Sequence, residues 1–310
     1  MRIIDIKNFD EAARVFEKIG VDPYGISAMA PKTIHLNILI EKKPCKVANI
    51  IKQEMLSVGG DAAVARGSVA CSLEASDILL MGTQKQILAL AGKIENQPFG
   101  LRAIACDLRQ LLQGQNNKDL IFKTARRKIK ISGRTLIMGI LNVTPDSFSD
   151  GGLFLAREKA VERGLELAAQ GADIIDIGGE STRPGSKAVQ VNAELKRVIP
   201  VIQSLAKKIK IPISVDTKKN LVAAHALEAG AEIVNDISAL AADKTMARAV
   251  ARTKAGLILM HMRGTPRSMQ KGDLSYHDLM GEIVASLRKS MQKAVDAGVE
   301  KECIVIDPGI

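Results

Sequence analysis

Tryptophan is absent from the 310 residues, and two tyrosines and six phenylalanines bring the aromatic share to only 3%. A surface that holds single-stranded nucleic acid by stacking its bases needs more rings than that, so nucleic acid is not expected as a partner. The cations do not reverse this reading. The net charge is +10, but the lysines and arginines are dispersed apart from Arg126-Arg127-Lys128. Residues 1–130 hold 20 Lys and Arg against 13 Asp and Glu, and residues 131–310 hold 24 against 21. An anionic small substrate fits such a surplus. Cysteine is also scarce. Cys45, Cys71, Cys106 and Cys303 show no close pairing in sequence, which excludes the usual zinc spacing and a disulfide framework. Reduced thiols in a cytoplasmic protein are expected. No apolar run reaches the length of a bilayer-spanning helix, and the opening MRIIDIKNFDEAARVF mixes acids into its apolar residues, unlike a secretory leader. No membrane partner is expected.

What is present is a globular composition, 46% hydrophobic and 25% charged, in a chain long enough for roughly two domains. The first, 1–115, is expected to be a small α+β domain. An amphipathic helix covers 10–19 and a strand 33–40. A helix beginning after Pro44 runs over 46–57 to Gly59-Gly60. Strands are expected at 67–73 and 77–81, and helices at 84–95 and 101–112. Strand, helix, two strands, helix is the order of a ferredoxin-like unit. Nothing in this part forms a catalytic constellation. His35 lies inside a strand pattern and reads as structural, and Gly59-Gly60-Asp61 reads as a turn, since no lysine-bearing phosphate loop follows. The polar, basic stretch within 116–134 reads as a linker or a lead-in strand.

From 135 to 310 one unit repeats. Short apolar strands (136–141, 173–177, 213–215, 233–237, 257–260, 303–306) alternate with longer helical patterns. The dipeptides Gly171-Ala172 and Gly230-Ala231 mark helix ends that feed new strands. This is strand–helix repetition around a parallel sheet. Each strand then runs into polar residues: Asn142-Val143-Thr144, Gly178 to Gly185 (GGESTRPG), Asp216-Thr217, Asn235-Asp236, His261-Met262-Arg263 and Asp307-Pro308-Gly309. Alone, any of these acids or amides is as readily a helix cap or turn former. Residues 182–185 can be a simple turn, and His261 a buried structural histidine. Six in succession are harder to dismiss. A doubly wound sheet gathers such residues at one switch point, whereas a barrel spreads them over nearly every strand end around one mouth. The expected fold is therefore α/β, a (β/α)8 TIM barrel of which about six units are present.

These motifs, NVTPDSFSDGG at 142–152, GADIIDIGGESTRPG at 171–185, SVDT at 214–217, VNDISA at 234–239, MHMRGTP at 260–266 and DPGI at 307–310, resemble in sequence and order those of the dihydropteroate synthases. The resemblance covers roughly residues 130–310. It implies a TIM barrel and an enzyme of folate biosynthesis, joining 4-aminobenzoate to 6-hydroxymethyl-7,8-dihydropterin diphosphate to give 7,8-dihydropteroate and diphosphate. By the resemblance, Asp216 and Asn235 belong to the pterin pocket with Asp307 on its far side, and Ile237 and Met260 line the ring face. Asn142 matches a Mg²⁺-associated position and Thr182 a diphosphate contact. Phe148, Arg183 and Pro184, on two loops, help form the 4-aminobenzoate site. No covalent nucleophile is expected, and a homodimer is. A methyltransferase acting on a methylated folate would share Asp216 and Asn235 but lack the Thr-Arg-Pro-Gly and SFSDGG loops. A non-catalytic pterin-binding protein is the alternative from another class. Two departures stand out. Residues 1–115 precede the barrel, and the sequence stops at Ile310, ahead of the lysine and Arg-x-His elements that the resemblance implies. The expectation is a fragment of a longer chain, inactive as written.

Overall fold

The computed structural model describes residues 1–116, 120–131, 134–144, 152–180, 189–264, 276 and 278–309, and of 114–116 and 152–156 the backbone alone. The chain divides into two compact units, 1–118 and 119–310.

In the first unit α1 (Phe9–Ile19) starts on Asn8, whose side chain accepts from the Glu11 amide. Then come α2 (Pro23–Thr33), β1 (His35–Pro44), α3 (Cys45–Ser57), β2 (Asp61–Val64), β3 (Ala75–Thr83), α4 (Gln84–Ile94) and α5 (Leu101–Asn116). Sequence reading missed α2, although Asp22 as cap and Pro23 at its first position are a start signal. The strand expected at 67–73 is not formed. The second strand is instead Asp61–Val64, paired antiparallel with Met81–Ile78, and Arg66–Ser68 makes a single 3₁₀ turn. The sheet has three strands, in the order β1-β3-β2. A ferredoxin-like unit would add a fourth strand after α4, but there the chain continues as helix α5. The core packs Ile51, Met55, Ile78, Leu80, Ile87 and Leu90 together. His35 is exposed at the first residue of β1.

The second unit opens, within the stretch read as a linker or lead-in strand, with a hairpin of β4 (Leu120–Lys123) and β5 (Lys128–Ile131). Six strand units follow: β6 (Met138–Asn142), α6 (Gly152–Ala169), β7 (Ile174–Gly178), α7 (Val191–Leu205), β8 (Ile213–Asp216), α8 (Asn220–Ala229), β9 (Ile233–Asp236), α9 (Met246–Thr253), β10 (Gly256–Met260), α10 (Leu279–Asp296) and β11 (Ile304–Asp307). All six strands are parallel, and their order in space is their order in sequence, β6 to β11. A doubly wound sheet would reverse direction at its switch point, so this is the winding of a TIM barrel. Gly171 and Gly230, both at positive φ, end α6 and α8 as their dipeptides predict.

Strand periodicity separates two faces. Ile175, Ile177 and Val215 face out and join the helices in the larger core. Ile174, Ile233 and Ile258 cluster instead with Phe122 of the hairpin. The hairpin is fastened below the strands by Glu232, which accepts from Thr124 Oγ1 at 2.7 Å and Arg127 Nε at 2.9 Å. Among the described residues β6 and β11 are the sheet's edges, and Ile140 on β6 is 68% exposed. No described helix is long and apolar enough to cross a membrane.

Candidate functional site

Parallel winding brings every strand's C-terminal end to one side, so residues two apart on each strand stack toward that mouth. Asn142 ends β6, Gly178 ends β7 and Asp216 ends β8, and they are register partners in that order. A Cβ placed on Gly178 would stand 3.4 Å from Asp216 Oδ2 and 3.6 Å from Asn142 Oδ1. The glycine thus leaves open the space over which a carboxylate and an amide oxygen converge. Asn235 pairs in register with Asp216 on the other side.

One layer deeper, Asp176 on β7 and Ser214 on β8 are buried, at 5% and 0% exposure. Asn235 Nδ2 donates to Asp176 Oδ2 at 2.9 Å. Asp176 Oδ1, Ser214 Oγ and Asn235 Oδ1 are buried with no hydrogen-bond partner. Native proteins satisfy such atoms with few exceptions. Asp176 and Ser214, register partners, can pair with each other, which leaves Asn235 Oδ1, in the layer of Asp216, as the acceptor that awaits a polar partner.

The electrostatics agree. Burial pushes the Asp176 carboxyl above its ordinary value, against the opposing influence of the nearby Ser214 hydroxyl and the Asn235 amide. Burial pushes Asp216 further up, helped by the charges of Asp176, Glu194, Asp236 and Glu180. The rim is balanced differently. Lys218 Nζ donates to Glu180 Oε1 at 2.7 Å, Lys219 bridges Glu180 and Glu194, and Thr217 Oγ1 donates to Glu194 Oε1 at 2.6 Å. Burial alone would raise Glu180, but the two lysines outweigh it and hold its carboxyl low. Glu180 also accepts from the Val189 amide at 3.3 Å.

The other expected residues fall as follows. Met260 and Asp307 are register partners at the tips of β10 and β11, and Asp307 Oδ1 accepts from the Gly309 amide at 2.8 Å. Asp307 therefore lies three strands from Asp216. Ile237 is buried just beyond β9. Asp236 is a turn former: its carboxylate accepts from the Ser238 amide and hydroxyl and from the Leu240 amide, at 2.7 to 2.9 Å. His261 is half-buried, its Nε2 3.5 Å from the Tyr276 hydroxyl. Phe148, Thr182, Arg183 and Pro184 lie outside the described residues. Sequence reading passed over Asp176. Its signal was there, since an acid inside the otherwise apolar run Ile174-Ile175-Asp176-Ile177 must be buried with the strand, and buried acids rarely stand alone.

Residues 138–310 match the profile of the pterin binding enzymes. The chain belongs to the pterin-binding enzyme family. Among curated pterin-binding relatives, the probable bifunctional folylpolyglutamate synthase/dihydropteroate synthase of Halobacterium salinarum is 39% identical over 307 residues, covering 99% of this chain and 36% of that protein. The match therefore runs through the first unit as well as the barrel. The dihydropteroate synthase of Bacillus subtilis is 44% identical over 190 residues, covering 61% of this chain and 64% of that protein. The chain thus spans about a third of the first relative and less than two thirds of the second. Among solved structures, the dihydropteroate synthase of Xanthomonas albilineans with 4-aminobenzoic acid superposes with a TM-score of 0.56 at 44% identity, covering 62% of this chain and 67% of that one. The barrel and family read from the motifs stand.

Proposed function

We propose that this chain carries out the dihydropteroate synthase reaction of folate biosynthesis, or the greater part of its site. The observation that carries the reading is the convergence of Asn142 and Asp216 over Gly178, with Asn235 and a deeper acid beside them. A pterin edge is a 2-amino-pyrimidinone with adjacent N–H donors. An ionised carboxylate accepts two such donors in parallel. Asp216 takes this role, Asn235 pairs with the neighbouring edge, Asp307 closes the far side, and Ile237 and Met260 cover the ring face. A ring without matching donors would leave these groups unpaired and be rejected.

In the reaction the methylene C–O bond to diphosphate breaks and its electron pair leaves with the diphosphate. The arylamine nitrogen forms the new C–N bond and then loses a proton. Such a displacement needs no covalent enzyme nucleophile. Thr182 contacts the diphosphate, and Phe148, Arg183 and Pro184 hold 4-aminobenzoate. Asn142 suits Mg²⁺, a hard ion that takes oxygen ligands, needs few from the protein and draws the rest from phosphate and water. Its amide oxygen faces the same space as Asp216, and no cluster of three or more acids, histidines or cysteines that could hold a metal occurs among the described residues. The bound ion would neutralise charge on the departing diphosphate. A cytoplasmic homodimer completes the reading.

The test is diphosphate release from the pterin diphosphate, with and without 4-aminobenzoate and Mg²⁺, beside a direct binding titration of 6-hydroxymethyl-7,8-dihydropterin. Saturable pterin binding with amine-dependent release supports the reading. A chain that binds no dihydropterin refutes it.

A further inference from the structure

We infer that Asp176, which is not expected to touch substrate, is the positioning residue that decides which way round the Asn235 amide faces, and so makes the pocket an acceptor of hydrogen bonds. The inference rests on the pterin reading for its consequence but not for its geometry.

An asparagine amide offers two donors on one end and an acceptor on the other, and either end can face a cavity. Here the choice is made from below. Asp176 Oδ2 accepts from Asn235 Nδ2 at 2.9 Å, and a carboxylate cannot accept from the carbonyl end. The donor end is therefore turned down, and Asn235 Oδ1 is left buried and unpaired on the other side. Asp216, the register neighbour of Asn235, presents carboxylate oxygens to the same mouth. With Asp216 ionised, the Asp216 and Asn235 oxygens offer acceptors along this edge, which selects a planar heterocycle carrying adjacent N–H donors. Were the amide free to turn, its NH₂ group would confront those donors and the match would be lost. Asp176 is itself fixed, because it sits within a strand buried along its whole length.

Two variants test this. Asp176→Leu keeps the approximate size of the side chain and removes the acceptor of Asn235 Nδ2; because a buried donor is left unpaired, circular dichroism and a thermal melt first check that the variant is folded. It frees the amide, and binding of 6-hydroxymethyl-7,8-dihydropterin should weaken on the order of 10- to 100-fold, the cost of a mispaired buried polar edge. The pair exchange Asp176→Asn with Asn235→Asp keeps composition and charge. Residue 176 then donates to residue 235, whose second carboxylate oxygen faces the cavity as an acceptor. Affinity should stay within a few-fold of wild type, which a merely structural role for Asp176 does not require. The inference is overturned if Asp176→Leu binds like wild type, or if the exchange binds as poorly as Asp176→Leu. A third readout needs no ligand. The Asn235 side-chain NH₂ resonance should show slow hydrogen exchange in wild type and lose that protection in Asp176→Leu. If wild type binds no dihydropterin the functional reading fails, and this resonance alone decides the inference: protection unchanged in the variant overturns it.

Discussion

At the scale of single residues, the site is governed by the cost of burying charge. Asp216 and Asp176 both hold their protons above the ordinary carboxylate value of about 4. The folded, ligand-free chain therefore binds more protons than the unfolded chain between that value and the raised ones. Stability then falls as pH rises across this window. Asp216→Asn cannot ionise, so its thermal midpoint should change less with pH than that of wild type. Identical profiles would remove Asp216 from the account. The same variant should bind dihydropterin about 10- to 100-fold more weakly, because half of the bidentate acceptor becomes a donor. Arg183→Ala is expected to act elsewhere, raising the 4-aminobenzoate KM while leaving dihydropterin affinity close to wild type. Equal losses in both would count against that assignment.

At the scale of elements, the hairpin β4–β5 and the strand starts form the floor beneath the site. Phe122 fills the space between Ile174, Ile233 and Ile258. Phe122→Ala leaves a cavity there and should cost about 3 kcal/mol of stability, read from denaturant unfolding, with dihydropterin affinity unchanged because the site lies at the opposite strand ends. Loss of affinity without loss of stability would contradict this separation. Nearer the surface, Arg134 pairs with Asp173, which also accepts from the Ile137 amide at 2.9 Å where the chain enters β6. The Arg134 guanidinium, with the Ile137 amide, holds the Asp173 carboxyl down at about 2. A depressed carboxyl contributes stability above its unfolded value of about 4, and that contribution is lost as pH falls through about 2. Arg134→Ala should return the carboxyl toward its ordinary value in an NMR titration. The Arg134 side chain is mostly exposed and Asp173 is half-buried at the surface, so little change in neutral-pH stability is expected.

At the scale of the whole molecule, the two units have separate cores. Cooperative unfolding follows a shared core, so calorimetry should resolve two transitions. Leu90→Ala, in the first core, should lower one of them by the 2–5 kcal/mol typical of such truncations, roughly, and leave the other in place. A single transition moved as a whole would show the units to be energetically one. The Halobacterium salinarum protein matches over 307 residues of this chain, across both units, and the Bacillus subtilis enzyme over 190.

The barrel could be read from sequence because its signals are local and repeated. Apolar runs of strand length, glycines closing helices and a polar residue at each strand end are properties of neighbouring residues, and chain order alone predicts parallel neighbours. The candidate site residues Asn142, Asp216, Asn235, Met260 and Asp307 stand out for the same reason, each at or near the place where an apolar run stops. The first unit was read less well. A short strand such as Asp61–Val64 is decided by its partner β3 and not by its own four residues. What only tertiary structure decided is which of the strand-end groups meet. Asp236 turned away to cap a loop, while Asp176, hidden inside an apolar strand, came to hold Asn235 across the intervening strand β8. Periodicity tells which face of a strand a residue occupies. The distance between two side chains on different strands depends on the stagger and curvature of the sheet, which no stretch of sequence contains.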